Sequence, residues 1–225
     1  MATIRNILKR LTKPILKTWL QFYYRKPRKF TYEDIEVLVH PDVFPPQLTL
    51  STKILLDFIA EIDLQNKSFL ELGCGCGMIS LLASKKGAVV TASDINKIAL
   101  EYLEKASEEN KLKVTCIASN LFENFQNKTF DYIIINPPYY PNDPKSIKEN
   151  AWFCGENFEY FEALFNQLPV YLTSHNNTYM ILSEDCDIDR ITTIASHNKI
   201  VFESVFSIKK MGENNTIYAI KQIDR

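Results

Sequence analysis

Residues 68–94 read SFLELGCGCGMISLLASKKGAVVTASD. The run SFLEL at residues 68–72, with Phe69, Leu70 and Leu72 apolar, stops at Gly73, and residues 88–93 form a second short run with β-branched side chains; both have the length and composition of strands. Between them, MISLLASKK has the apolar spacing of a helix. A strand joined to a helix by glycines and followed by a second strand predicts a βαβ unit with parallel strands.

Working outward, the alternation continues. The spacing predicts helices over 97–110, 157–172 and 187–197, and strands over 113–118, 130–135 and 178–183. Residues 199–210 and 216–221 flank MGENN and read as an antiparallel hairpin. Upstream lie a short strand over 35–39, the turn-rich PDVFPPQ, and a helix over 53–62 that Ser51 or Thr52 can cap. Strands alternating with helices imply a mostly parallel sheet covered on both faces, an α/β fold.

Composition sets the outer bounds. A chain of 225 residues with 46% hydrophobic content suffices for one substantial core. No run of 18 apolar residues suggests a membrane span, and the N-terminus lacks the uninterrupted apolar stretch of a secretory signal. Five cysteines show no paired framework, and Cys74-Gly-Cys76 is too tight for the usual zinc spacing. They read as reduced thiols of a cytoplasmic protein, with no metal expected. The net charge of −1 conceals an asymmetry: residues 1–30 hold nine of the 26 Lys and Arg and none of the 27 Asp and Glu. Ile4, Ile7, Leu8, Leu11, Ile15 and Leu16 keep helical spacing there, interrupted at Pro14. Residues 1–30 therefore read as a basic amphipathic helical leader ending in the connector RKPRKF, and 31–225 as the folded domain. The leader suits an anionic surface such as RNA, the ribosome or a membrane; it equally suits a helix laid over the domain with its lysines in water.

Ligands of open parallel sheets bind beyond the carboxyl ends of the strands. Four such ends follow in order: Glu71-Leu-Gly73-Cys74-Gly75-Cys-Gly77, then Asp94-Ile95, then Asn120-Leu121, then Asn136-Pro137-Pro138-Tyr139. Glycines let a backbone approach a ligand closely, and an acid at the next strand tip can accept both hydroxyl hydrogens of a ribose. The amide of Asn120 and the backbone N–H after it can pair with an adenine edge. Each feature alone has an ordinary structural reading as a turn, a helix cap or a strand stop. Met78 stands where the dinucleotide fingerprint needs a third glycine, so the dehydrogenase version is missing.

Taken together, the set resembles the class I S-adenosylmethionine-dependent methyltransferases, in the amino-methylating branch marked by N-P-P-Y. The flanks PPQLTLSTKILLDFI and AWFCGENFEYFEALF look most like the HemK-like protein glutamine methyltransferases within the methyltransferase small domain group. This chain departs from that pattern at Leu48, Ser51 and Cys154, and has Asn120 where an aspartate is commoner. The resemblance implies a doubly wound, mostly parallel seven-stranded sheet with a C-terminal antiparallel hairpin, the Rossmann-like methyltransferase fold. It implies S-adenosyl-L-methionine as cofactor and S-adenosyl-L-homocysteine as product. The cofactor-binding residues it implies are Thr52, Glu71, Gly73, Cys74, Gly75, Gly77, Asp94, Ile95, Asn120, Leu121 and Asn136; the catalytic ones are Asn136, Pro137, Pro138 and Tyr139.

An amide or nucleobase amino nitrogen is a weak nucleophile because its lone pair is delocalised. Two acceptors that take both of its N–H hydrogens aim that lone pair at the methyl group. The Asn136 side-chain oxygen and the Pro137 carbonyl can be those acceptors, while proline fixes the backbone and brings no competing N–H. Tyr139 offers an aromatic face for a planar group. Three readings follow: methylation of a protein glutamine of release-factor type, methylation of adenine N6 or guanine N2 in RNA (less so DNA), and a non-catalytic module of the same fold.

Overall fold

The computed structural model describes residues 25–125, 128–210 and 212–223. Most of the expected leader, residues 1–24, lies outside the described residues.

The βαβ reading of 68–94 is what the chain forms. Strand β3 (Ser68–Leu72) leads through the glycine loop into α2 (Met78–Lys85) and on to β4 (Val89–Asp94), which pairs with β3 in parallel. They are preceded by β1 (Arg28–Tyr32), β2 (Ile35–Val39) and α1 (Leu50–Ala60). They are followed by α3 (Lys97–Glu109), β5 (Val114–Ala118), β6 (Tyr132–Ile135), α4 (Glu159–Gln167), β7 (Asn177–Ser183), α5 (Ile188–His197), β8 (Ile200–Lys210) and β9 (Glu213–Gln222). Seven strands lie in the order β5-β4-β3-β6-β7-β9-β8, parallel except for β9, which is antiparallel to both neighbours. This is the doubly wound sheet with a C-terminal hairpin expected from the alternation.

Both faces are covered, and the sequence of β6 shows why it is not amphipathic. Ile133, Ile134 and Ile135 are each fully buried, Ile134 on one face and its two neighbours on the other. One core joins the sheet to β2, α1, α2 and α3 through Phe69, Leu55 and Leu103; the second joins it to α4 and α5 through Phe161, Phe165 and Ile191. Asp131 ties the starts of β3 and β6 together by accepting from both the N–H and the hydroxyl of Ser68, each at 2.7 Å. The strand order reverses between β3 and β6, so a crevice opens at their carboxyl ends.

Three local expectations are corrected. Arg28–Tyr32 is a strand rather than connector: it pairs antiparallel with β2, and Phe30 and Tyr32 pack against the first core. The upstream helix starts at Leu50 with Thr49 as its N-cap residue, so Ser51 and Thr52 sit inside its first turn instead of capping it. The third, the hairpin turn, is shorter than MGENN because β9 already begins at Glu213.

Gly77 precedes α2 with φ +70°, and a Cβ there would run into the buried Leu103 side chain. Gly77→Ala is expected to lower stability by about 2–3 kcal/mol, from left-handed strain plus displacement of Leu103. A thermal melt reads the loss.

Candidate active site

A cavity of about 500 Å³ lies over the β3/β6 crevice, and it collects every residue nominated from the sequence except Gly77. Thr52 reaches it from the first turn of α1, where it is buried. Glu71, Gly73, Cys74 and Gly75 line it from the end of β3, Asp94 and Ile95 from β4, Asn120 and Leu121 from β5, and Asn136 to Tyr139 from β6. Four consecutive parallel strands end on one edge, so residues far apart in sequence meet there.

Backbone bonds hold the glycine loop against β4. The N–H groups of Gly73 and Cys74 donate to the Ser93 carbonyl at 2.9 and 2.8 Å, and the Gly75 N–H donates to Asp94 Oδ2 at 2.8 Å. Asp94 Oδ1 accepts from the Asn96 N–H, also at 2.8 Å, while Asn96 rather than Asp94 caps α3. Each Asp94 oxygen keeps a lone pair for a ligand hydroxyl. A Cβ built on Gly73 (φ +76°) meets no protein atom within 4 Å, so a ligand can approach this stretch of backbone closely.

Glu71 is 5% exposed and accepts from the Ser80 N–H at 2.8 Å and from the Ser80 hydroxyl. Burial pushes its carboxyl up to about 8, against the two Ser80 bonds and with a smaller push from Asp94. Asp94 is also raised by burial. A cation placed in the cavity would draw both acids back toward carboxylate. A raised carboxyl makes the folded state hold a proton that the unfolded chain has released. Its stabilising contribution is therefore full below the ordinary carboxylate range and is lost as pH rises to about 8. Glu71→Gln is expected to flatten that fall in melting temperature between pH 5 and about 8, measured without ligand.

Asn120 donates its side-chain N–H to Glu123 at 2.8 Å, and Leu121 sits at φ +49°. The Leu121 N–H has no acceptor among the described residues, whereas the next one, of Phe122, is taken by Gln167 at 3.0 Å. The Asn136 carboxamide bonds no described side chain or backbone group, and the Tyr139 ring leans on Tyr140 with centroids 4.8 Å apart.

Sequence reasoning missed the roof. The Tyr140 N–H donates to the Trp152 carbonyl and the Cys154 N–H to the Tyr140 carbonyl, folding residues 140–154 back on themselves. Lys148 bonds the Pro41 carbonyl and pairs with Asp42 at 3.4 Å, and Phe44 packs on Trp152 with centroids 4.6 Å apart. Asp42, Phe44, Trp152 and Tyr160 all line the cavity. Trp152 lies in the flank AWFCGENFEYFEALF, and Phe44 and Asp42 lie in the turn-rich PDVFPPQ, where nothing in the spacing marks them as partners.

The match to known proteins fits this geometry. Residues 34–152 match the family described as methyltransferase small domain. The chain belongs to that family. It is an S-adenosylmethionine-dependent methyltransferase. A protein of Methanocaldococcus jannaschii, provisionally named a protein N5-glutamine methyltransferase, is 34% identical over 146 residues, which is 62% of this chain and 72% of that one. Ribosomal RNA small subunit methyltransferase C of Haemophilus influenzae is 30% identical over 177 residues, covering 73% of this chain and 53% of its own. This methyltransferase thus spans about half the length of that rRNA enzyme. Among solved structures, the 16S rRNA guanine-N2 methyltransferase of T. thermophilus in complex with AdoMet and guanosine superposes with TM-score 0.64 at 18% identity, over 88% of this chain and 51% of that one. Mtq2 of E. cuniculi, solved with Trm112 and described as methylating the termination factor eRF1, gives TM-score 0.61 at 20% identity, over 81% and 99%. At these identities the superpositions show a shared fold.

Proposed function

We propose that this methyltransferase transfers the methyl group of S-adenosyl-L-methionine to the side-chain amide nitrogen of a protein glutamine, as in release-factor methylation. The observation that carries the choice of acceptor is the charge of the cavity. Asp42, Glu71, Asp94, Asp143 and Glu159 line it, and among the described residues no Lys or Arg does. Such a site suits a cationic cofactor and a neutral amide, and opposes the phosphates of a nucleic acid. The share of length matched with the provisionally named glutamine methyltransferase supports the same reading.

The residues divide the work as follows. Asp94 accepts the ribose hydroxyls, Asn120 and the Leu121 N–H meet the adenine edge, and Thr52, Glu71 and the loop from Gly73 to Gly75 enclose the amino-acid end. S-adenosylmethionine supplies a methyl group already activated by its sulfonium, so the protein's task is alignment. The Asn136 oxygen and the Pro137 carbonyl accept hydrogen bonds from the two amide N–H groups, and Tyr139 stacks on the amide plane. The nitrogen–methyl bond forms as the sulfur–methyl bond breaks to leave S-adenosylhomocysteine, and the one proton the nitrogen loses passes to solvent. Mass spectrometry of proteins from cells with and without the gene tests the acceptor: a glutamine one methyl group lighter without the gene supports it.

A second reading, methylation of guanine N2 or adenine N6 in RNA, is favoured by the basic charge of residues 1–30 and by the rRNA methyltransferase relatives. Under it, deleting residues 1–24, which leaves β1 intact, should weaken RNA binding and flatten its salt dependence. Unchanged RNA binding would remove the leader's support for this reading.

A further inference from the structure

Among the hydroxyls that line the cavity without an assigned role, those of Ser93 and Tyr160 stand out. Ser93 of β4 lines the cavity, is 1% exposed, and its Oγ has no hydrogen-bond partner. An orphaned buried hydroxyl is costly, so such an atom marks a place that a ligand or water completes. Tyr160, in the first turn of α4, lines the same cavity, and its hydroxyl also bonds no described residue.

The two lie on one face of the sheet. Ser93 stands in register with Leu72 and Ile117, both of which pack in the second core beneath α4. On α4, Tyr160, Ala163 and Gln167 follow helical spacing, so they share a stripe. Gln167 bonds the Phe122 N–H, and Ala163 lines the cavity, which sets this stripe against the loop of residues 119–122. The Tyr160 ring is fixed by an edge contact with Phe161 at 5.3 Å and by its own N–H donating to the Cys154 carbonyl at 2.9 Å. Burial, and behind it the Asp94 carboxylate, push the phenol upward, so it stays a donor at neutral pH.

A donor on the helix stripe that meets the 119–122 loop, close enough to Asp94 to feel its charge, can reach the place where adenine joins ribose. This rests on the reading that the cavity holds the adenosyl end of the cofactor. The amino group and N1 of the adenine are assigned to Asn120 and the Leu121 N–H; the ring acceptor left on the ribose side is N3. We propose that Tyr160 is a cofactor-positioning residue whose hydroxyl donates to the adenine N3, with the Ser93 hydroxyl completing the same polar corner. That bond fixes the rotation of the base relative to the ribose, and with it the direction in which the sulfonium points toward Asn136.

Calorimetric titration of the full chain with S-adenosylhomocysteine and its 3-deaza and 7-deaza analogues tests the assignment. Wild type should bind the 3-deaza analogue about five- to tenfold more weakly than the parent, the scale of one neutral hydrogen bond. Tyr160→Phe should bind the parent more weakly by the same factor and lose nothing further with the 3-deaza analogue. The 7-deaza analogue should bind both proteins like the parent. A thermal melt shows that the variant is folded. A variant that still discriminates against the 3-deaza analogue, or that binds the parent as tightly as wild type, overturns the assignment to Tyr160. Wild type that binds none of the three would instead overturn the adenosyl site on which the assignment rests.

Discussion

Asn136→Ala is expected to lower methyl transfer by roughly 10²-fold or more, the cost of losing one preorganised acceptor in a transition state. The Asn136 carboxamide makes no hydrogen bond to the described protein, so its removal breaks none and melting should change little. Affinity for S-adenosylhomocysteine should stay within a few-fold, because the contact at stake is made chiefly with the methyl acceptor. The loss should therefore appear in kcat and be absent from product binding. Asn136→Asp keeps an oxygen acceptor and should retain partial activity. Full activity in a folded Asn136→Ala protein would reduce N-P-P-Y to a strand stop.

Asp94→Ala should act on the other substrate and lower S-adenosylhomocysteine affinity by about 10²-fold or more. Two hydrogen bonds from ribose hydroxyls to a charged acceptor are lost, each worth about 1.5–3 kcal/mol. The same substitution frees the Gly75 and Asn96 N–H groups that Asp94 now accepts, loosening the loop as well. Asp94→Asn separates the two effects: it keeps one acceptor oxygen, so part of the affinity should return. A ligand-induced rise in melting temperature reads both variants, and NAD should give no rise in wild type. An Asp94→Ala protein with an undiminished rise would place the ribose elsewhere.

The parts of this fold that were legible in the sequence are those whose signal is local. β3, β4 and β6 are largely buried on both faces and so appear as short runs rich in apolar and β-branched residues, ended by Gly73, Asp94 and Asn136, which also line the site. Four strand tips in order supply the floor of the cavity, from Glu71 through Asp94 and Asn120 to Asn136, and each was readable before any contact was known. β1 was hidden because its alternation is carried by Phe30 and Tyr32 among arginine and lysine, which read as a charged connector. The start of α1 was misplaced because Ser51 and Thr52 look like caps; their side chains are instead buried beside the cavity. The roof over the cavity and Tyr160 were not legible at all. Phe44 meets Trp152, and Lys148 meets Asp42, across roughly a hundred residues of sequence that no spacing rule connects. Gly77 was nominated with the other loop glycines, yet its lack of a side chain serves Leu103 and not the cavity.

The acceptor is the central claim, and one reaction tests it directly. The purified chain, given methyl-labelled S-adenosylmethionine, is offered release-factor protein and ribosomal RNA in the same vessel. The two pools are then separated, hydrolysed and identified by chromatography. Label recovered in the protein as N5-methylglutamine, and lost with Asn136→Ala, is the result expected. Label recovered in RNA as methylated guanine or adenine, with none in protein, would contradict it.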